Sequence, residues 1–467
     1  MAKQQKTNSN TNPLNRRDFF KIGAVGAAAG TLTLMSTPRK LMAEKTAKAT
    51  KNALIRTHSS VPNKIRADYK PMHQKDNLFG QALSMKRPDW AKQFMQFGRE
   101  LHDNDKPGYT QADQALEAGG HALNATGTGL SSGCIPNQGL YGWEQKTTGN
   151  PHNPLDHNYV SKEKYEFKSK QQAADYIKRA ARLFGADLIG ITPRDERWDF
   201  ASFLNPHRHD GGEKIFGWEE FPFKPKSVIV MAFEMDYEGV AAAPSYIGSA
   251  APGEGYSQMA KTAFQLSVFL KQMGFQAVAA GNDLGLSVPY AVAAGLGEVG
   301  RNGCLVSYKY GPRVRIAKVY TDFDFTEYDK PQAFGVAEFC DRCKRCADAC
   351  PSKAISFADK PTFEPDYGTP DTWVNNPGVQ KYYSNSEKCF EFWCESNNDC
   401  TSCITSCPYN KPDFWHHELV DSISALMPGP VHNFMREMDI VFGYGDTYDE
   451  KAVEKFWSSK DREYLGR

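Results

Sequence analysis

Eight of the eleven cysteines fall into two groups whose spacing suits inorganic clusters. The first, Cys340, Cys343, Cys346 and Cys350, reads C-x2-C-x2-C-x3-C before Pro351. The second, Cys389, Cys400, Cys403 and Cys407, reads C-x10-C-x2-C-x3-C before Pro408. A [4Fe–4S] cube needs four thiolates at its corners. A tight C-x2-C-x2-C loop supplies three, and in two-cluster ferredoxins the cysteine before proline serves the other cluster. That rule assigns Cys340, Cys343, Cys346 and Cys407 to one cluster and Cys350, Cys389, Cys400 and Cys403 to the second. Zinc also uses paired C-x2-C motifs, but seldom three cysteines at that spacing with a trailing C-P. Cys134, Cys304 and Cys394 remain as buried or spare thiols, and Cys394 rivals Cys389 as a ligand.

Two clusters make a wire, which needs a source and an acceptor of electrons. No G-x-G-x-x-G follows a strand. "GLGEVG" (295–300) has the wrong spacing and follows a helical pattern, so no dinucleotide is signalled. There is no C-x-x-C-H for a c-type haem, and no D-x-H-x-x-G to give cobalt a histidine. His207 and His209, in "NPHRHDGGEK", read as a solvated loop before they read as a metal site.

The N-terminus bears on where such a wire operates. "NRRDFFK" places Arg16 and Arg17 before a short, weakly apolar Gly/Ala-rich stretch, the pattern of a twin-arginine export signal, with Ala43 a candidate last residue before cleavage. No apolar run approaches the ~18 residues of a membrane span. Without residues 1–43 the chain holds 49 basic and 54 acidic residues, an acidic excess that argues against nucleic-acid binding. With 40% apolar residues a packed core is expected.

The elements that must position these groups follow from periodicity. Residues 44–165 are irregular and read as an N-terminal wrapping region. From 166 to 330, "KQQAADYIKRAARLFG" predicts a helix ending at Gly185. "ADLIGIT", "KSVIVMAFEM", "FQAVAAG" and "VRIAKVYTDFDF" predict strands. "YSQMAKTAFQLSVFLKQMG" predicts a long helix stopped by Gly274, and "PYAVAAGLG" a shorter one. Alternating strands and helices give an α/β or α+β domain. Residues 331–415 form the cysteine-rich module, and 416–467 a helical tail.

These residues together resemble the corrinoid-dependent respiratory reductive dehalogenases. The likeness runs from the twin arginines to the C-terminus. It is strongest in "GYSQMA", "QMGFQAVAAGND", "VAAGLGEVGRNG", "YGPRVRIAKVYTD", "KCFEFW" and "CTSCITSCPYNKPDFW". The resemblance implies an α+β fold, with an α/β-like corrinoid-binding core related to the nitroreductase fold and a C-terminal two-[4Fe–4S] ferredoxin-like module. It implies a base-off, cobalamin-type corrinoid, which fits the missing D-x-H-x-x-G. Electrons would pass through the clusters to cobalt, and Co(I) would attack carbon or halogen of a small chlorinated hydrocarbon. Tyr256 matches the proton-donating tyrosine, Arg315 the basic residue beside it, Asn282 a polar residue of the substrate and corrinoid pocket, and Trp393 an aromatic packed on substrate. A guanidinium beside a phenol favours the phenolate, making the phenol a better acid near neutrality. The Gly- and Pro-rich "SAAPGEGY" before Tyr256 points to a reshaped upper wall of that pocket.

The resemblance further implies a small membrane-anchor protein as partner. It implies electrons from the quinone pool or a reductase, and a peripheral place on the outer face of the cytoplasmic membrane, in anaerobic organohalide respiration. Two other readings share the cysteines. An epoxyqueuosine-reductase-like enzyme would bind tRNA and lack an export signal. A non-catalytic electron-transfer subunit would hold iron and no cobalt.

Overall fold

The computed structural model describes residues 55–83, 86–96, 101–123, 142–143, 158–205, 214–411, 436–437, 440 and 443–458. All belong to the unit Leu54–Arg467. The twin-arginine stretch, Ala43, Cys134, His207, His209 and most of the tail lie outside the described residues.

Helix α1 (Gln111–Gly120) opens on a capping box: Thr110 Oγ1 accepts from the Asp113 N–H at 3.3 Å, and Asp113 Oδ2 accepts from the Thr110 N–H at 2.9 Å. Helix α2 (Lys170–Phe184) is capped by Ser169 and stops at Gly185, whose φ of 122° suits glycine. Its Ala173, Ala174, Ile177, Ala180 and Ala181 recur at three- and four-residue steps and are buried.

The sheet-forming strands are β1 (Leu188–Pro193) and β2 (Ser227–Glu234), then β3 (Ala277–Ala280) and β4 (Val314–Thr321). They lie in the order β1-β2-β4-β3, every neighbour antiparallel. The domain is therefore α+β. Periodicity reveals which faces are buried, not strand direction. Strand β2 alternates between two cores. Val228, Val230 and Ala232 join Trp198, Tyr290 and Tyr320 on one face. Ile229, Met231 and Phe233 join Ile177, Met259 and Leu266 on the other.

Helix α3 (Tyr246–Gln272) provides much of the second face and ends, as predicted, just before Gly274. Its start departs from the sequence expectation of a helix from Tyr256: the helix begins ten residues earlier and takes in "SAAPGEGY". Ser245 Oγ caps it by accepting from the Gly248 N–H at 3.0 Å. Pro252 lies inside the helix, where it has no N–H for the Gly248 carbonyl. That carbonyl accepts from Thr401 Oγ1 at 3.2 Å, so a side chain of the cysteine-rich segment repairs the break. Helix α4 (Ser287–Ala293) packs on the first core.

The cysteine-rich segment carries α5 (Val336–Cys343), α6 (Arg345–Ala349), α7 (Ser386–Ser396) and α8 (Ser402–Thr405), and α9 (Glu450–Ser458) is the described part of the helical tail. The segment is stitched to the sheet domain. The Asp399 N–H donates to Ser249 Oγ at 3.0 Å, Thr405 Oγ1 to Val240 O at 2.6 Å, and Arg313 Nε to Asn410 Oδ1 at 3.0 Å. Among the described residues no helix is long and apolar enough to cross a membrane.

Thr401→Val leaves the Gly248 carbonyl buried and unpaired and should destabilise the protein by about 1–3 kcal/mol. In a Pro252→Ala background the restored N–H serves that carbonyl, so the same substitution should have a smaller effect. Thermal or denaturant unfolding of the four proteins of this cycle measures the coupling; additive effects would refute it.

Candidate functional site

Cys340 and Cys343 on α5, Cys346 on α6 and Cys407 beyond α8 line one small, partly open pocket, together with Arg301, Phe339 and Tyr409. Burial pushes the Cys340 thiol up to about 12, and Cys346 and Cys407 well above the usual thiol range. Such thiols ionise only against a compensating positive charge, which metal ions supply. Among the described residues no three His, Cys, Asp or Glu side chains are arranged to hold a single metal ion. The four thiols instead stand around a hollow, as a multi-iron cage requires.

The second set gathers Cys350, which follows α6, Cys389 on α7, and Cys400 and Cys403 around the start of α8. Cys350 packs with Ala347, Ala354 and Ile355 against Cys389 and Cys403. Burial raises Cys389 to about 12, and the nearby Cys400 and Cys350 thiols add to the effect. Cys394 lies elsewhere on α7, against the cluster of Leu78, Trp90 and Phe390. Burial and then Glu391 and Glu395 push it up to about 11, with no cysteine among the causes. The structure thus brings Cys389, not Cys394, to the other three. Cys304 was left over in the sequence, yet its thiol is hydrogen-bonded with Cys403 and feels the charge of Arg315.

Tyr256 and Arg315 meet. The guanidinium lies over the Tyr256 ring, 4.8 Å from its centroid. Arg315 reaches it because odd-numbered residues of β4 face α3: Ala317 and Val319 lie in the same core against which Tyr256 packs. Arg315 Nε is buried with no hydrogen-bond partner. Two glycines of α3 make room on either side of the tyrosine. A Cβ at Gly255 would stand 2.8 Å from Arg315 Cγ, and one at Gly253 would stand 2.5 Å from the His121 ring. The His121 ring is 6.4 Å from that of Tyr256, and its Nε2 is 3.8 Å from Asp399 Oδ2. Burial pushes the Asp399 carboxyl up, while His121 and Arg315 pull it down. His121 and Asp399 belong to no local motif. The one hint in the sequence is the pair of glycines before Tyr256, Gly253 and Gly255, which leave room for His121 and Arg315 on different faces of the helix.

Asn282 is exposed in the turn after β3. The β3–β4 register runs from Ala277 opposite Thr321 to Ala280 opposite Lys318, so the chain leaves β3 heading for the Arg315 end of β4. The buried Lys318 ammonium holds that turn, donating to Gly281 O at 2.5 Å and Ser287 Oγ at 2.7 Å. Trp393 occupies another setting, on α7 beside Phe79 at 6.3 Å, with its Nε1 buried and unpartnered.

Comparison with known proteins places this arrangement. The 4Fe-4S dicluster domain family matches residues 339–411, so the cysteine-rich segment is a two-cluster iron–sulfur domain. The tetrachloroethene reductive dehalogenase of Desulfitobacterium hafniense is 32% identical, covering 96% of this chain and 99% of that one. That of Dehalobacter restrictus is 33% identical with the same coverage. The chain belongs to the reductive dehalogenase family. It is thus an oxidoreductase of carbon–halogen bonds. A solved reductive dehalogenase, described for B12-dependent dehalogenation, shares the fold with a TM-score of 0.63 at 20% identity, over 87% of this chain and 50% of that one. The signal sequence of the twin-arginine translocation pathway matches residues 13–33, which gives this dehalogenase its export route.

One more carboxyl of this region stands out. Burial pushes Glu117, on α1, up to about 8, and Asp399 adds to the shift against a hydrogen bond with Ser249. The native state therefore holds a proton that the unfolded chain, near 4.5, releases. This contribution to stability is complete below about pH 4.5 and is lost as pH rises through about 8. The slope is at most about 1.4 kcal/mol per pH unit. Glu117→Gln should flatten the fall in thermal midpoint between pH 5 and 8. A variant curve parallel to the wild type would exclude the assignment.

Proposed function

We propose that this reductive dehalogenase removes chloride from a chlorinated ethene, with electrons delivered through two [4Fe–4S] clusters and the proton delivered by Tyr256. The substrate class rests on the near full-length likeness to relatives named for tetrachloroethene. The proton route rests on one observation, the Arg315 guanidinium set against the Tyr256 ring. In this reading Cys340, Cys343, Cys346 and Cys407 hold one cluster and Cys350, Cys389, Cys400 and Cys403 the other. Each set is a group of thiols whose ionisation burial opposes.

The residues present also fit a corrinoid. Arg315 Nε is a buried donor without a partner at the tyrosine. A second, partly open pocket is lined by Trp198, whose indole N–H is buried and unpartnered, by Lys381, which burial lowers to about 8, and by Gly303, next to Cys304. Trp198 and Lys381 would be donors there for a polar side arm of the cofactor. A bound corrinoid would supply the reducing cobalt for carbon–halogen cleavage, and the missing D-x-H-x-x-G fits the base-off binding that the family resemblance implies.

The chain's own residues do the rest. Tyr256 holds its hydroxyl proton for the carbon that loses halide. Arg315 lays its guanidinium against the ring of that tyrosine and keeps Nε free of protein partners there. Asn282 and Trp393 are assigned to the substrate pocket, Asn282 on the turn that Lys318 fixes. The antiparallel sheet flanked by helices supports a kinship of residues 166–330 with the nitroreductase fold. The divisions 44–165, 331–415 and 416–467 stand beside it. A small membrane-anchor protein and a donor from the quinone pool or a reductase complete the assignment, with the enzyme peripheral on the outer face of the membrane.

Anaerobic assay with reduced methyl viologen and tetrachloroethene tests the reading. Protein carrying corrinoid and about eight irons, the content of two four-iron clusters, should release chloride. Tyr256→Phe should lose at least ~100-fold in rate, the lower range for a general acid, at unchanged iron and cobalt. Full activity in that variant would move the proton source elsewhere. Cys389→Ser should lower the iron content and Cys394→Ser should not; the reverse would exchange their roles.

A further inference from the structure

The stretch "GLGEVGRNG" (295–303) has no place in the reaction as assigned above, yet its arginine is among the most enclosed charges of the protein. Arg301 is 1% exposed. Its Nε and Nη2 both donate to the Cys340 carbonyl, at 3.0 and 2.8 Å, and its Nη1 donates to the carbonyls of Ser356 and Ala358, each at 2.8 Å. Its backbone N–H points at Cys340 Sγ, 3.4 Å away. The guanidinium stacks 3.8 Å over the Tyr382 ring, and Arg301 lines the cavity shared by Cys340, Cys343, Cys346 and Cys407.

A buried charge ordinarily needs a partner of opposite sign. The hydrogen bonds of this guanidinium end on neutral carbonyls instead. Glu298, three residues earlier, gives Oε2 to the N–H groups of Phe334 and Val336. Asp341 accepts from the Tyr382 hydroxyl at 2.5 Å, and Asp359 pairs with Lys344 at 2.5 Å on the open surface. The exposed Asp359 feels Arg301 only weakly beside its Lys344 pair, and the enclosed thiols that feel the Arg301 charge are Cys340 and Cys346 of the cage.

We propose that Arg301 is the fixed counter-cation of the cluster held by Cys340, Cys343, Cys346 and Cys407, and that it raises the reduction potential of that cluster. The proposal rests on the ligand assignment above. A four-thiolate cluster gains one more negative charge on reduction. A nearby buried cation stabilises the reduced form more than the oxidised one, and an N–H aimed at a ligand sulfur acts in the same sense. Arginine suits the task because it is always charged and its fork is satisfied by carbonyls, leaving its charge for the cluster. Cys304 joins the other set to Arg315, so the Arg301 cluster is the one farther along the wire from Tyr256. Raising its potential makes it the easier cluster for an external donor to reduce.

Redox titration followed by electron paramagnetic resonance on the iron-loaded protein tests this. Arg301→Gln should move the midpoint of one cluster to more negative potential and leave the other nearly in place. Arg301→Lys, which keeps the charge, should return that midpoint toward the wild-type value. If Arg301→Gln loses iron, retention of two clusters near wild-type potential in Arg301→Lys carries the same meaning. Loss of a cluster in both variants would make Arg301 a structural clamp only and overturn the proposal. So would unchanged midpoints in Arg301→Gln. Wild-type protein without two clusters would instead sink the ligand assignment, a failure read from iron and sulfide content alone.

Discussion

Two hydrogen bonds between the first turns of α3 and residues 399–401 hold the redox and catalytic halves of this protein in register. Thr401 serves the carbonyl that Pro252 leaves open, and Ser249 receives the Asp399 N–H. The same helix carries Tyr256, and the same short segment leads into Cys400 and Cys403. A shift of one against the other would move the tyrosine relative to the second set of thiols. Proline inside a helix costs roughly 3 kcal/mol in isolation. Here the open carbonyl becomes an acceptor for the neighbouring segment, so the defect is part of the joint.

The glycines of α3 follow the same logic. Glycine weakens a helix interior by about 1 kcal/mol relative to alanine. Gly253 and Gly255 nevertheless stand where a methyl group would strike His121 and Arg315. The long α3 packing surface below Tyr256, with Met259, Ala263, Leu266 and Leu270 in the core, supplies stability that tolerates the weakened start. Local helix strength is given up where bulky polar groups must approach the phenol.

Much of this was legible in the sequence because it is encoded locally. The strands, the helix stops at Gly185 and Gly274, and the grouping of cysteines across two motifs all follow from period and spacing. Strand direction was not, since an inner strand looks alike in parallel and antiparallel sheets. The start of α3 was hidden by Pro252 and its glycines, while the groups that hold its first turns, Asp399 and Thr401, lie 150 and 153 residues from their partners Ser249 and Gly248. Cys389 and Cys394 share one short helix, and only its packing against Trp90 and Phe390 separates them. His121 and Asp399 have no motif at all; they become neighbours of Tyr256 only through packing.

The cysteines also explain why the export route matters. Both sets are largely enclosed, and burial drives the Cys340, Cys389 and Cys407 thiols far above neutral pH. Without iron the protein would enclose thiols at Cys340, Cys346, Cys389 and Cys407 that burial keeps from ionising. Ligand deprotonation, metal binding and folding of residues 339–411 are therefore one coupled process. A chain crossing unfolded would have to complete that process where thiols oxidise. A twin-arginine signal at 13–33 instead suits a passenger that has already closed around its iron. Clusters folded in before export would cross as enclosed, capped groups.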